Sequence, residues 1–229
     1  MIVKEFNIKD LNLHYYIGIN QIRIDLKKFL EINKIIDENK AEDLIFNKIE
    51  TIQNKFLGST IQLIKREYIL NQDHIFTAGY FLQKAFLQKL NISNKRNIEI
   101  FLYLSTNRQI SKGLDAFGIT DIDLKKNDLI SCIISSENNL KDINNSILLN
   151  LNAYEMDITI NDQSVEKFNT IQNFYEISNK QLSSILKSYG IPASNEKQLD
   201  YSLNSMYMAL YDLLCEKMAL LNTEKLKTD

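Results

Sequence analysis

The chain has 229 residues, among them no tryptophan, a single proline, two cysteines, two histidines and six glycines. Cys132 and Cys215 lie far apart, belong to no C-x-x-C pair and sit among apolar residues, so they read as reduced core thiols. With only His14 and His74 for imidazole ligands, a zinc site would have to draw on carboxylates that no spacing identifies, and no metal is expected. The sequences G-x-x-x-x-G-K-[ST], G-x-G-x-x-G, H-E-x-x-H and G-x-S-x-G are all missing, so no catalytic residue and no cofactor is expected, and the chain is expected not to be an enzyme. No apolar run approaches the roughly 18 residues of a membrane span. The opening Met1-Ile-Val-Lys-Glu lacks the basic-then-apolar order of a secretory signal, and a soluble cytoplasmic protein is expected. Positive charge is not in excess: 27 Lys and Arg stand against 29 Asp and Glu, a net charge of −2. That balance excludes a protein that grips nucleic acid with its whole surface, and confines any RNA site to one locality.

What remains is the composition of an ordinary globular chain, 45% hydrophobic and 24% charged, able to bury a core without staples. Leu13, Tyr15, Ile17 and Ile19 recur at period two, predicting a strand bulged at Gly18. Ile45, Ile49, Ile52 and Phe56 recur at steps of four and three, predicting one or two helices over 25–56 that end at Gly58. Thr60–Lys65 predicts a short strand, and Asn71 and Asp73 offer caps for a helix running to about Leu90 with Ile75, Ala78, Leu82, Ala85 and Phe86 inward. The apolar run Leu129–Ile134 predicts a central strand, and residues 146–160 a further one. Helical patterns follow near 162–176, 178–188 and 197–222, with Pro192 between the last two. The expectation is an α+β protein of a single domain spanning 1–229, a mixed or antiparallel sheet flanked by helices, with a helical carboxy-terminus.

Two features carry functional weight. Ile98, Ile100, Leu102 and Leu104 alternate with Glu99, Phe101 and Tyr103, predicting a strand covered on both faces. Ser105-Thr106-Asn107 then supplies three capping residues, and Ile110, Leu114 and Phe117 a short helix closed by Gly118. Such a strand–turn–helix over 98–118 presents unpaired amides and a partial positive charge. Arg108 adds a bidentate phosphate donor, and Gln109 a group able to pair with a base edge. From Lys84 to Lys112 the charges are Lys84, Lys89, Lys95, Arg96, Arg108 and Lys112 against Glu99 alone, which reads either as a solvated face or as a local RNA grip. His74, near a helix start, is expected to be neutral and to pack, not to catalyse. The last helix carries Leu203, Met206, Leu210, Leu213, Leu214, Met218 and Leu221 on one side, widened by Tyr201, Met208, Tyr211 and Cys215. That arc suits burial in the helix's own core, docking on a partner through Met206, Met208, Leu210 and Tyr211, or both.

The segment from His74 to Ile119 resembles the kinase-binding accessory subunit of the KEOPS complex, the Cgi-type or PRPK-binding protein family. That family shows a His at a helix start, Glu followed by aliphatics, Ser-Gly-x-Arg-Gln-Ile, a short helix and a Phe-Gly end. Glu99, Ser105, Arg108, Gln109, Ile110, Phe117 and Gly118 match, and Thr106 stands where Gly is usual. The similarity continues through Leu129–Ile134 and returns in Glu216–Leu221, while 25–56 and 146–200 look longer than in compact members. The resemblance implies a non-catalytic subunit that binds the complex's atypical kinase and stimulates its ATPase. It also implies recruitment of tRNA by its single-stranded 3′ CCA end for threonylcarbamoyl-adenosine modification. RNA contacts would fall on Ser105, Thr106, Arg108, Gln109, Ile110 and His74. The alternative is a protein-interaction scaffold that uses the last helix and binds no RNA.

Overall fold

A computed structural model describes residues 1–35, 40–126, 128–191 and 201–222. They divide into two compact units, each drawn from three stretches of chain: Met1–Glu67, Lys95–Ile98 and Leu114–Thr159 form the first, and Tyr68–Asn94, Glu99–Gly113 and the residues from Ile160 onward the second. The fold class is α+β, with a sheet that is antiparallel throughout and a helical carboxy-terminal end. No described helix is long and apolar enough to cross a membrane.

The first unit is organised by the sheet. Its strands are β1 (Ile2–Ile8), β2 (Leu13–Ile24), β3 (Thr60–Lys65), β4 (Leu129–Ser135) and β5 (Ala153–Met156), in the order β1-β2-β4-β3, with β5 also paired to β2. The 12-residue β2 is long enough to take two partners in succession, β1 from Leu13 to Ile19 and β5 from Gln21 to Ile24. Strand β4 is buried along its whole length, as its nearly continuous apolar run requires for a strand with neighbours on both sides. Gly18 lies in a regular ladder opposite Val3 and Ile133, not in a bulge. A Cβ there would come within 2.9 Å of Met1 Sδ and 3.2 Å of Leu140 Cδ1, so glycine answers to packing above the sheet and not to a break in it.

Helices α1 (Leu26–Ile32), α2 (Ala41–Lys55) and α7 (Leu140–Asn150) supply the apolar cover. Ile45, Ile49 and Ile52 of α2 meet Ile143 and Ile147 of α7 and Ile61, Leu63 and Ile133 of the sheet in one continuous core. The helix signals act as their chemistry predicts: Asp25 accepts the amide of Lys28 at 3.1 Å, capping α1. Past α2 the chain reverses through Gly58 at φ +81°, a conformation that glycine adopts without a Cβ penalty.

The second unit is helical. It contains α3 (Gln72–Gln88), most of α4 (Arg96–Ser105), the first turn of α5 (Ile110–Phe117), α8 (Val165–Phe174), α9 (Asn179–Ser188) and α10 (Leu203–Leu220), while α6 (Asp121–Lys126) belongs to the first unit. Helix α10 packs against α3, α8 and α9. Serine or asparagine caps begin α3, α8, α9 and α10, and α9 carries a complete capping box between Ser178 and Gln181. Pro192, and the beginning of the helical pattern expected over 197–222, lie outside the described residues.

One element differs in kind from the sequence expectation: Arg96–Ser105 is an α-helix, not a strand. Residues 99–105 are buried without exception, so no face is left exposed and the alternation of aliphatic with aromatic residues carries no period-two meaning. A short run buried all round is compatible with either element, and tertiary packing decides.

Candidate functional site

The residues singled out in the sequence meet in a helix–turn–helix formed by α4, the turn 106–109 and α5. Its geometry follows from how α4 ends. Thr106 has φ +50°, its amide donates to the Tyr103 carbonyl at 3.1 Å, and the Asn107 amide donates to Leu102 at 3.1 Å. This pair of bonds is the Schellman arrangement that closes a helix with one left-handed residue. Ser105, 7% exposed, donates its hydroxyl to the Leu102 carbonyl at 3.2 Å. Ser105 and Thr106 therefore finish the preceding helix instead of starting the next one. Only Asn107 serves forward, its side chain accepting the Gln109 amide at 2.9 Å.

A third carbonyl, that of Leu104, is satisfied from inside the unit. The buried Tyr175 hydroxyl donates to it at 2.6 Å. His74, 0% exposed, stands beside this bond, with Nδ1 accepting the Leu70 amide at 3.3 Å and Nε2 lying 3.4 Å from the Tyr175 hydroxyl. An amide donating to Nδ1 assigns the ring proton to Nε2. Burial pushes the imidazole down to about pKa 3, against an opposing backbone hydrogen bond at Leu104. His74 thus braces the end of α4 from below, and no ligand at the surface of the turn can touch it. The RNA contact expected of it does not stand, because a neutral ring at the amino-terminal end of α3 is filled on both nitrogens by the protein itself.

Glu99 is equally internal. At 0% exposure its carboxylate accepts the amides of Ile92, at 3.0 and 3.1 Å, and Ser93, at 2.6 Å, closing the polar turn before α4 with charge-assisted bonds. Gly113 brings α5 onto α4: a Cβ there would lie 3.2 Å from the backbone of Phe101.

Arg108, Gln109 and Ile110 point elsewhere. Gln109 and Lys112 are exposed, and Ile110 is 43% exposed. Arg108 is half-buried and donates from Nη1 to the Leu221 carbonyl at the end of α10, at 2.8 Å. Nothing in the sequence around position 108 signals a partner 113 residues away. The surface of the turn is thus an exposed amide-and-aliphatic ledge, beside a guanidinium already holding one carbonyl.

Helix α10 separates the proposed docking residues. Leu210 is 0% exposed and belongs to its own core, so it is removed from the set able to face a partner: Tyr207, Ala209, Leu213, Leu214 and Met218 share its burial. Met208 is 51% exposed, Met206 is half-buried, and the half-buried Tyr211 shares a 2.7 Å hydrogen bond between its hydroxyl and that of Thr77. Among the described residues there is no group of three or more His, Cys, Asp or Glu able to hold a metal ion.

Residues 33–221 match the family model described as kinase binding protein CGI-121. No curated protein matches the chain.

Two measurements check this account. Thr106→Gly is expected to stabilise the protein by about 1 kcal/mol, because a β-branched residue is strained at φ +50° by roughly 1–2 kcal/mol relative to glycine; urea unfolding reads the difference. His74 has a folded pKa of about 3 against an ordinary 6.5, so the unfolded chain binds the extra proton between those values. Its contribution is complete above pH 6.5 and declines as pH falls toward 3, by up to about 1.4 kcal/mol per pH unit. Urea unfolding at pH 7 and 5.5 is expected to show this loss, and His74→Gln to show a smaller one.

Proposed function

The chain belongs to the CGI-121 family, and from that premise we propose that it is a non-catalytic subunit that binds a protein kinase, the atypical kinase of the KEOPS complex. In this reading it also presents the 3′ CCA end of tRNA for threonylcarbamoyl-adenosine modification. The observation that carries the kinase half is the family match, which runs from residue 33 to 221 and so takes in both compact units. The exposed Met208, one helical turn before the half-buried Tyr211 on α10, supplies the adaptable apolar contact expected of a docking helix, while the half-buried Met206 lies toward another face. The RNA half draws on the turn at 106–110. Exposed Gln109 offers hydrogen bonds to a base edge, half-exposed Ile110 an apolar seat for an unstacked base, and Arg108 and Lys112 the charge for phosphate. Ser105 and Thr106 shape that turn by ending α4.

The kinase half is tested by co-purification with the KEOPS kinase. Met208→Asp is expected to leave the far-ultraviolet circular dichroism unchanged and to weaken capture at least tenfold, whereas Leu210→Asp, a charge at a fully buried site, is expected to unfold the protein. Undiminished capture by folded Met208→Asp would move the docking surface off α10. For the RNA half, filter binding of intact tRNA and of tRNA trimmed of its CCA end is expected to differ by tenfold or more. Equal affinity for the two would remove the CCA end from the proposal.

A further inference from the structure

We propose that the end of α10 regulates the turn at 106–110 by competing with phosphate for Arg108, so that RNA binding and the docking of the last helical turn exclude one another. The inference rests on the RNA reading above and adds its control.

Three observations in the helical unit carry it. First, the Arg108 guanidinium donates to the Leu221 carbonyl at 2.8 Å. Carbonyls in the last turn of a helix lack intrahelical donors and carry the negative end of the helix dipole, so a cation there is favourable. Second, the next residue makes a parallel attachment. The Asn222 side-chain amide donates to the hydroxyl of Tyr103, a ring that is 0% exposed and lies against Phe81 at a centroid distance of 5.8 Å. Tyr103 also gives its carbonyl to the Thr106 amide, so both attachments of the α10 end are made to the segment that forms the turn. Third, the latch is imperfect. The other polar side-chain atom of Asn222, Oδ1, is buried with no hydrogen-bond partner, an uncompensated desolvation that disfavours the closed form.

These features give the two states different claims on one guanidinium. Closed, Arg108 is engaged within the protein, with Nη1 committed to the Leu221 carbonyl. Open, the same group meets a phosphate with two parallel charge-assisted bonds, roughly twice as strong as neutral ones. Release also returns the unpartnered Asn222 oxygen to water. By reciprocity, a phosphodiester that takes Arg108 loosens Leu221 and Asn222, and loosening Asn222 strengthens the hold on the phosphodiester. The sign is fixed: the latch opposes RNA.

The test uses the full chain and intact tRNA ending in CCA. Hydrogen exchange followed by mass spectrometry is expected to show the amides of residues 218–222 exchanging several-fold faster when tRNA is saturating. Asn222→Ala is expected to tighten tRNA binding about two- to fivefold, the gain set by the coupling between the two contacts, and this gain is expected to vanish in the Arg108→Ala background. Binding of tRNA with unchanged or slowed exchange at 218–222, or an Asn222→Ala chain that binds tRNA no better than the natural one, overturns the latch and leaves the RNA reading standing. Failure of both the natural chain and Asn222→Ala to bind tRNA overturns the RNA reading and the latch with it.

Discussion

The helical unit depends on how α4 ends. A helix that stops inside a protein leaves its last carbonyls to be satisfied by something other than water. Here Leu102 and Tyr103 are closed by the amides of Asn107 and Thr106, and Leu104 by the hydroxyl of Tyr175. Each bond constrains a different part of the chain. The first two require a left-handed residue at 106, and the third fixes α4 against the end of α8 with His74 wedged beside it. Because Thr106 and not glycine supplies the left-handed step, the closure carries strain that the surrounding bonds must over-determine. The turn at 106–110 is thereby a rigid platform whose underside is sealed.

That platform sorts the residues of the family pattern by what they do. Glu99 closes the turn ahead of α4 with three backbone contacts, and Ser105 ends the same helix. Gly118 is held by contact and not by backbone conformation: a Cβ would lie 2.6 Å from the Leu114 carbonyl. These are the residues of a scaffold. Gln109 and Ile110 alone of the Arg-Gln-Ile block face mainly outward, and Arg108 stands between the two roles, half in solvent and bonded to the far end of the chain. A pattern that looks uniform in sequence is therefore a layered structure, in which most of the matching positions hold the ledge and few can touch a ligand.

Much of the first unit was legible because its signals are local. A nearly continuous apolar run marked β4 and steps of three and four marked α2; in the second unit an asparagine likewise marked the start of α3. Strand β1 went unread because its alternation is broken twice: Lys4 falls in the phase of Ile2, Phe6 and Ile8, and Val3 is apolar at an exposed position. The reading of α4 as a strand failed for a deeper reason. Periodicity reports the contrast between a buried and an exposed face, and a segment buried on every side has no contrast to report. The misreading carried into the site, because Ser105, Thr106 and Asn107 have the chemistry of amino-terminal caps and were assigned forward to α5. The glycine that the family resemblance leads one to expect at position 106 was the available sign that the position is a carboxy-terminal one. The depth of His74 and the reach of Arg108 to Leu221 were beyond local signals, since both are set by contacts across 101 and 113 residues.

Helix α10 shows why a broad apolar arc cannot be divided by sequence alone. Met206, Met208 and Leu210 have similar hydrophobicity, yet Leu210 is sealed and Met208 is half in solvent. What separates them is which neighbours the helix has: α3, α8 and α9 cover the side that holds Leu210, Leu213, Leu214 and Met218. A helix held on that side by its core and at its end by Arg108 is already fixed in orientation before any partner arrives. Its outward face then needs no ordering on association, which reduces the entropic cost that flexible docking segments carry. The same fixation differs along the helix: the last turn is bonded directly to the 106–110 ledge through Arg108, whereas the rest of α10 is held by apolar packing and by the hydrogen bonds of Tyr207 and Tyr211.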